Sequence, residues 1–346
     1  MMNPQAVIKK SDIDAWITKL AGSRTVVAPV RKGAKNFAFA EVKNGKRICL
    51  KYIPTILPPK KYFMPQREMI QMFDRVKHQW QPAMETDGET VLLGVHTCDL
   101  SGIGFLNTVM DAEPRDVYYA KRRAKIVLIG IECNDYCDEF ASCKVMNNHM
   151  PNGNYDLFFT ELSDSYWVHI ASPAGEKIVS ETGFFAAAGK DHQKELDQVR
   201  AKKQQIFKDE VKVKHEALKG VFANSFESPV WDDLDKRCVA CGNCTNVCPT
   251  CYCFDIRDEL NLDLATGCRV RVWDGCQNED FAKVAGGENF RKKRGQRQRH
   301  RYMRKFNYPV DKFKRYSCTG CGRCTRTCMA KISLKETINA LAGETV

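Results

Sequence analysis

Cysteine is the residue type whose spacing in this sequence points most directly to chemistry. The chain has 346 residues, and 17 of them are cysteine. Eight of these form two blocks with the same C-x2-C-x2-C-x3-C spacing: Cys238, Cys241, Cys244 and Cys248 in the first, and Cys318, Cys321, Cys324 and Cys328 in the second. Three cysteines at intervals of three let one tight loop present three thiolates to a cubane, while the fourth reaches a neighbouring cluster. The sequence therefore predicts two [4Fe–4S] clusters.

This geometry divides the eight thiolates between the clusters in a crossed manner. Cluster one takes Cys238, Cys241, Cys244 and Cys328, and cluster two takes Cys318, Cys321, Cys324 and Cys248. The alternative is zinc, but a structural zinc site needs only four ligands, which two matched blocks exceed. Pro249 suits the start of a helix after the first block, and Met329 stands at that place after the second without loss of a ligand.

Four further cysteines follow two predicted strands near the middle of the first half of the chain. The strands are at 91–96 and 126–131, and the cysteines are Cys98, Cys133, Cys137 and Cys143. Because the carboxyl ends of parallel strands converge, the four thiols could meet at one site. They would suit a third [4Fe–4S] cluster or a zinc ion, and free thiols are the remaining alternative. We predict that the nearby His96 and His149 form local hydrogen bonds.

The other five cysteines are predicted to be small buried hydrophobic residues. They are Cys49, Cys251, Cys253, Cys268 and Cys276. Free cysteine usually packs in this way. Cys251 and Cys276 are the first to consider if a cluster is ligated differently.

The elements that would position these cysteines differ between the two halves of the chain. Short β-branched or aromatic runs at 25–30, 37–42, 91–96 and 126–131 alternate with polar segments and predict a mixed α/β fold. Residues 189–220 are dense in charge and predict a helix or helical hairpin that connects two domains. Residues 254–264 and 281–306, between the cysteine blocks, are predicted to be helical or loop-like.

We therefore predict two domains with a boundary near residue 225. Residues 1–225 would form an α/β domain with the additional cysteine site. Residues 226–346 would form an α-helical ferredoxin-type domain that holds two [4Fe–4S] clusters among its helices. The 69 residues between the two blocks, 249–317, are too many for a compact bacterial ferredoxin.

Composition and charge narrow the class of protein. A hydrophobic content of 43% argues against a disordered chain, and an odd, clustered set of cysteines argues against a disulfide framework. No export signal or bilayer-spanning apolar run is visible, so we expect a cytoplasmic protein without a membrane partner. The net charge is +12, and residues 291–306 carry nine Lys or Arg. We expect this segment to be a basic face near the clusters or a docking surface for an acidic partner protein, rather than a nucleic-acid site.

The chain resembles the iron–sulfur electron-transfer subunits of cytosolic multi-subunit reductases. These are the beta subunit of sulfhydrogenase-type [NiFe] hydrogenases and the corresponding iron–sulfur subunit of anaerobic sulfite reductase. The matching segments lie in the same order along most of the chain: 56–65, 94–103, 155–162, 238–260, 272–291, 299–308 and 318–328. The chain departs from the family after the second strand, where a C-x-C pair is usual and this sequence reads CNDYCDEFASCK.

The resemblance implies a subunit that relays single electrons and has no catalytic residues of its own. A flavin- and NAD(P)H-binding subunit would supply the electrons, and a catalytic hydrogenase or sulfite/sulfur reductase subunit would receive them. The chain has no G-x-G-x-x-G after a strand and no P-loop, which agrees with a nicotinamide site on a partner. Two alternatives remain: a catalytic iron–sulfur reductase with a substrate site at Cys98, Cys133, Cys137 and Cys143, or an iron–sulfur nucleic-acid-binding protein that uses residues 291–306.

Overall fold

The computed structural model describes residues 5–83, 88–208 and 211–344. The strands are β1 (Gln5–Lys9), β2 (Thr25–Lys32), β3 (Asn36–Val42), β4 (Arg67–Asp74), β5 (Gln79–Pro82), β6 (Thr90–His96), β7 (Ile126–Ile131), β8 (Leu157–Glu161), β9 (Ser165–Ile170), β10 (Ala186–Ala187), β11 (Phe254–Leu260) and β12 (Thr266–Trp273). The helices are α1 (Ile13–Ala21), α2 (Thr97–Met110), α3 (Val117–Ala124), α4 (Pro173–Thr182), α5 (Lys190–Ile206), α6 (Leu218–Asn224), α7 (Val230–Arg237), α8 (Asn243–Asn246), α9 (Arg294–Phe306), α10 (Tyr308–Phe313), α11 (Arg323–Arg326) and α12 (Leu334–Glu344).

Eight strands form one sheet in the order β10-β1-β9-β8-β7-β6-β2-β3, and β8, β7, β6 and β2 are parallel at its centre. Apolar residues dominate β6 and β7, and β7 is buried throughout, as expected for parallel strands covered on both faces. Helices α1 and α4 pack on one face and helices α2 and α3 on the other. The four strands predicted from the sequence are all confirmed, and so is the α/β character of this part of the chain.

A second sheet joins distant parts of the sequence. It is antiparallel, with the order β11-β12-β4-β5. The prediction that residues 254–264 are helical or loop-like is wrong for β11. Phe254, Ile256 and Leu260 alternate with charged residues, which is the period-two pattern of a strand. The hairpin therefore extends out of the cysteine-rich region and pairs with residues nearly 200 positions earlier.

Helices surround the two cysteine blocks. The aromatic rings of Phe222, Tyr302 and Phe306 stack at their centre, and the rings of Phe222 and Phe306 lie 4.5 Å apart. Helix α9 confirms the helical prediction for much of 281–306. Since Phe222 of α6 belongs to this core, apolar packing extends to residues before 225. The division at 225 stays a prediction.

Helix α5 confirms the helix predicted from 189 onward, but it does more than connect two segments of the chain. Its Lys203 is fully buried and donates to the equally buried carboxylate of Glu132 at 2.9 Å. Glu132 directly precedes Cys133 at the end of β7. The charged helix thus contacts the edge of the sheet where the additional cysteines lie. None of the helices in the described residues is long and apolar enough to span a bilayer.

Candidate metal centres

The four cysteines assigned to cluster two line one cavity. Its walls include Cys248 from the first block and Cys318, Cys321 and Cys324 from the second. The cavity, together with its opening to solvent, has a volume of about 400 Å³. Burial raises the pKa of the Cys318 thiol to about 12, with neighbouring thiols adding to the effect. A buried thiol of this kind becomes a ligand only when positive charge stabilises its thiolate. The structure therefore brings together the crossed set predicted from spacing.

The cysteines assigned to cluster one lie at the first loop and at the end of the second. The Cys238 sulfur is buried and accepts from the Gln298 side-chain amide at 3.1 Å and from the Ala240 N–H at 3.4 Å. Burial raises the pKa of the Cys244 thiol to about 12, although the positive charge of Arg301 acts in the opposite direction. The Cys238 thiol is among the neighbours that contribute to the rise. Cys241, between them, is exposed.

The second cysteine block contacts the first through the short helices α8 and α11. The Asn243 side chain donates to the Thr327 carbonyl at 2.9 Å, which holds the residue before Cys328 against the first loop. The Cys328 sulfur accepts from the Ile332 N–H at 3.3 Å. Backbone N–H groups that point at cysteine sulfur are typical of iron–sulfur loops, where they tune the cluster potential.

Buried cations accompany these thiols. On α9, Arg297, Arg301 and Lys305 follow an i, i+4, i+8 stripe and are all buried. Lys305 donates to Thr250 Oγ1 at 2.8 Å, and although burial lowers its pKa, the thiolates of Cys248 and Cys251 more than offset this and raise it. Three of the nine basic residues of the predicted segment are thus buried, and two of them, Arg301 and Lys305, lie near the motif cysteines. Cysteine thiolates are the ligands that hold a [4Fe–4S] cluster, and nearby cations would offset its negative charge.

Two of the four additional cysteines lie close to a histidine at the edge of the larger sheet. The ligand atoms of His96, Cys133 and Cys137 lie within 4.8 Å of one another, with 3.9 Å between His96 Nδ1 and Cys137 Sγ. A hydrogen bond from Cys137 lowers the pKa of Cys133 to about 5. The pKa of Cys137 is raised, and negative charge on Cys98 and on Cys143 contributes to the rise. Cys98 and Cys143 therefore lie near Cys137.

His96 is the residue that the sequence prediction did not include in this site. Its ring stacks on Tyr52 with 3.9 Å between the centroids, which orients Nδ1 toward Cys137. The signal in the sequence was the H-x-C pattern of His96 and Cys98 at the end of a strand. His149 instead packs its ring near that of Phe207.

The additional site and the cluster-two cavity lie next to each other. Cys98 and Cys321 are close enough that charge on Cys321 contributes to the raised pKa of Cys98, after burial and Asp99. The fully buried side chains of Asp99 and Arg323 form a two-pronged ion pair at 2.6 and 2.8 Å. The Ser142 N–H donates to the Gly320 carbonyl at 2.8 Å. These contacts fix the two cysteine regions against each other.

We expect Gly320→Ala to weaken this junction. Gly320 has φ +70°, and an added Cβ would lie 2.3 Å from the Ser142 carbonyl oxygen. Gly183→Ala is the matched control, because Gly183 has φ +72° but open space around it. The left-handed conformation costs about 1–2 kcal/mol in both variants. Backbone overlap should lower the free energy of unfolding of Gly320→Ala by about 1–3 kcal/mol more. Urea unfolding measures both variants, and equal losses would contradict the close approach.

The five remaining cysteines are not alike. Cys49 packs against a hydrophobic cluster, as predicted. Cys268 lies on β12, and a groove of the smaller sheet includes it. Cys251, Cys253 and Cys276 instead share a cavity with basic side chains. Cys276 is buried and the other two are half-buried, so hydrophobic packing of these three stays a prediction.

Comparison with known proteins supports iron–sulfur binding by the region of the two cysteine blocks. The 4Fe-4S dicluster domain family matches residues 237–332, the segment that contains both cysteine blocks. No solved structure matches the chain. Sulfhydrogenase 2 subunit beta of Pyrococcus furiosus is 36% identical over 308 residues, which are 89% of this chain and 89% of that protein. The resemblance identified from the sequence is confirmed: this chain belongs to the family of sulfhydrogenase beta subunits and is an iron–sulfur subunit with a 4Fe-4S dicluster domain.

Proposed function

We propose that this chain is the electron-transfer subunit of a cytoplasmic multi-subunit oxidoreductase. It relays single electrons between a flavin- and NAD(P)H-binding subunit and a catalytic hydrogenase or sulfite/sulfur reductase subunit. The observation that carries the proposal is the cavity lined by Cys248, Cys318, Cys321 and Cys324 among buried cations. A bound [4Fe–4S] cluster supplies reversible one-electron chemistry. The relative is itself named as a subunit, which supports function within a complex.

The proposed ligands follow the crossed assignment. Cys238, Cys241, Cys244 and Cys328 hold cluster one, and Cys318, Cys321, Cys324 and Cys248 hold cluster two. Arg301 and Lys305 offset the negative charge at these sites, which raises the reduction potential. Because Cys241 is exposed, the cluster-one end is where a partner can approach most closely.

For the additional site, the geometry favours a mononuclear ion of the zinc type. Zn–S bonds of about 2.3 Å and Zn–N bonds of about 2.0 Å place tetrahedral ligand atoms about 3.5–3.8 Å apart. The 3.9 Å between His96 and Cys137 is close to this spacing. His96, Cys133 and Cys137 would be three ligands, and Cys98 or Cys143 the fourth. In this role the site is structural, beside cluster two.

Metal analysis of the full chain, purified without oxygen, tests both parts of the proposal. We expect at least about eight iron and eight acid-labile sulfide per chain, with EPR signals after reduction. We also expect about one zinc, which Cys137→Ala should remove without loss of iron. A loss of about four iron in Cys137→Ala would instead identify a third cubane at Cys98, Cys133, Cys137 and Cys143. Fewer than about four iron in the wild type would overturn the electron-transfer function.

A further inference from the structure

We propose that Cys251, Cys253 and Cys276 form a further iron–sulfur site, held by three thiolates and distinct from the two motif clusters. The inference rests on the proposed assignment of Cys248 to cluster two, which leaves these three cysteines outside both crossed sets.

The three thiols share one cavity with basic side chains. Its walls also include Arg301, Arg304 and Lys305. The cavity, together with its opening to solvent, has a volume of about 370 Å³. The cavity around the cluster-two cysteines encloses about 400 Å³ on the same measure. The two spaces are therefore of similar size, and both combine cysteine with buried cations.

The β11–β12 hairpin builds this cavity. Phe254, the first residue of β11, pairs with Trp273, the last residue of β12. Cys253 and Cys276 therefore extend from the same end of the hairpin, and the Asp274 N–H donates to the Cys253 carbonyl at 3.1 Å. The C-x-C spacing of Cys251 and Cys253 places the third thiol in the segment that leaves the first cysteine block.

The charges around the thiols favour an anionic ligand. The Lys60 side chain is buried and donates to the Cys251 carbonyl at 2.6 Å. Arg301 is 6% exposed, and its Nε has no hydrogen-bond partner in the described residues. Arg301 and Lys305 line both this cavity and the cluster-two cavity. Arg304 lines this cavity but not the cluster-two cavity. Because Arg301 also lies beside the motif cysteines, the positive charge particular to this cavity is that of Arg304.

The spacing of the thiols favours a cluster over a single ion. Among the described residues, only His96, Cys133 and Cys137 bring three ligand atoms within 4.8 Å of one another. Cys251, Cys253 and Cys276 do not, and neither do the motif cysteines. A single tetrahedral ion needs the tighter spacing. Three wider-spaced thiolates suit a three-iron cluster, or a four-iron cluster whose remaining iron takes a non-cysteine ligand.

The variants Cys253→Ala and Cys276→Ala test the proposal in the full chain. Each should contain about three or four fewer iron per chain than the wild type, with the EPR signals of clusters one and two retained. Cys268→Ala is the matched control, because it lies on the same hairpin but outside this cavity, and it should lose no iron. Retention of all iron in both test variants would overturn the further site. If Cys321→Ala loses iron in the same assay while both test variants keep theirs, the further site is overturned but the proposed function stands.

An iron-edge anomalous difference map of the wild-type protein, crystallised without oxygen, decides the question even if the variants do not fold. A peak between Cys251, Cys253 and Cys276 would support the site. Peaks at the two motif clusters alone would overturn it. Absence of iron from every site would instead overturn the proposed function.

Discussion

Replacing Arg323 by methionine should lower the free energy of unfolding by about 3–5 kcal/mol. Arg323 and Asp99 are fully buried and pair through both guanidinium Nη atoms, and Arg323 Nε also donates to the Thr55 carbonyl at 2.6 Å. Removal of the cation leaves the Asp99 carboxylate in a dry environment without a partner. Such an uncompensated charge costs far more than the net stability of the original pair.

Urea unfolding followed by tryptophan fluorescence, without oxygen, measures this loss. Arg237→Met is the control, because Arg237 and Asp233 form an exposed pair on one helix that should contribute less than about 1 kcal/mol. The double variant Asp99→Leu/Arg323→Met should regain much of the loss, since two apolar residues leave no buried charge. A loss below about 1 kcal/mol in Arg323→Met would show that the pair is hydrated and does not join the two cysteine regions.

The features that could be predicted from the sequence are those encoded by local spacing. The eight motif cysteines repeat one short pattern, and the structure lines a single cavity with four of them in the crossed combination. Strands β6 and β7 were predictable because buried parallel strands are continuously apolar. The convergence of Cys98 and Cys133 followed from the position of each cysteine after one of these strands.

The features that could not be predicted depend on contacts between distant segments. Strand β12 pairs with β4, so that Val270 lies opposite Met69, and no local pattern specifies that partner. The cavity of Cys251, Cys253 and Cys276 exists only because the hairpin returns Cys276 to Cys253. The buried stripe on α9 was present in the sequence as a four-residue period of Arg297, Arg301 and Lys305. A count of its charge without that period left two alternatives, a basic face near the clusters and a docking surface for an acidic partner.

Cys248→Ala should abolish the same EPR signal as Cys321→Ala, with about four fewer iron per chain in each variant. Cys248 belongs to the first block in sequence, yet it lines the cavity of the second block. Cys244→Ala should abolish the other signal. Because Cys251 contacts Cys248 and could take its place as a ligand, the EPR signal, and not the iron count, is also compared in Cys248→Ala/Cys251→Ala.

Double variants distinguish crossed from uncrossed ligation. If Cys248 and Cys321 hold one cluster, Cys248→Ala/Cys321→Ala loses no more iron than Cys321→Ala alone, whereas Cys248→Ala/Cys244→Ala loses about eight. Uncrossed ligation predicts the reverse, with the larger loss in the first pair. The crossed result would mean that neither block can complete its cluster alone. The two halves of the dicluster region would then have to be folded together before either cluster is fully ligated.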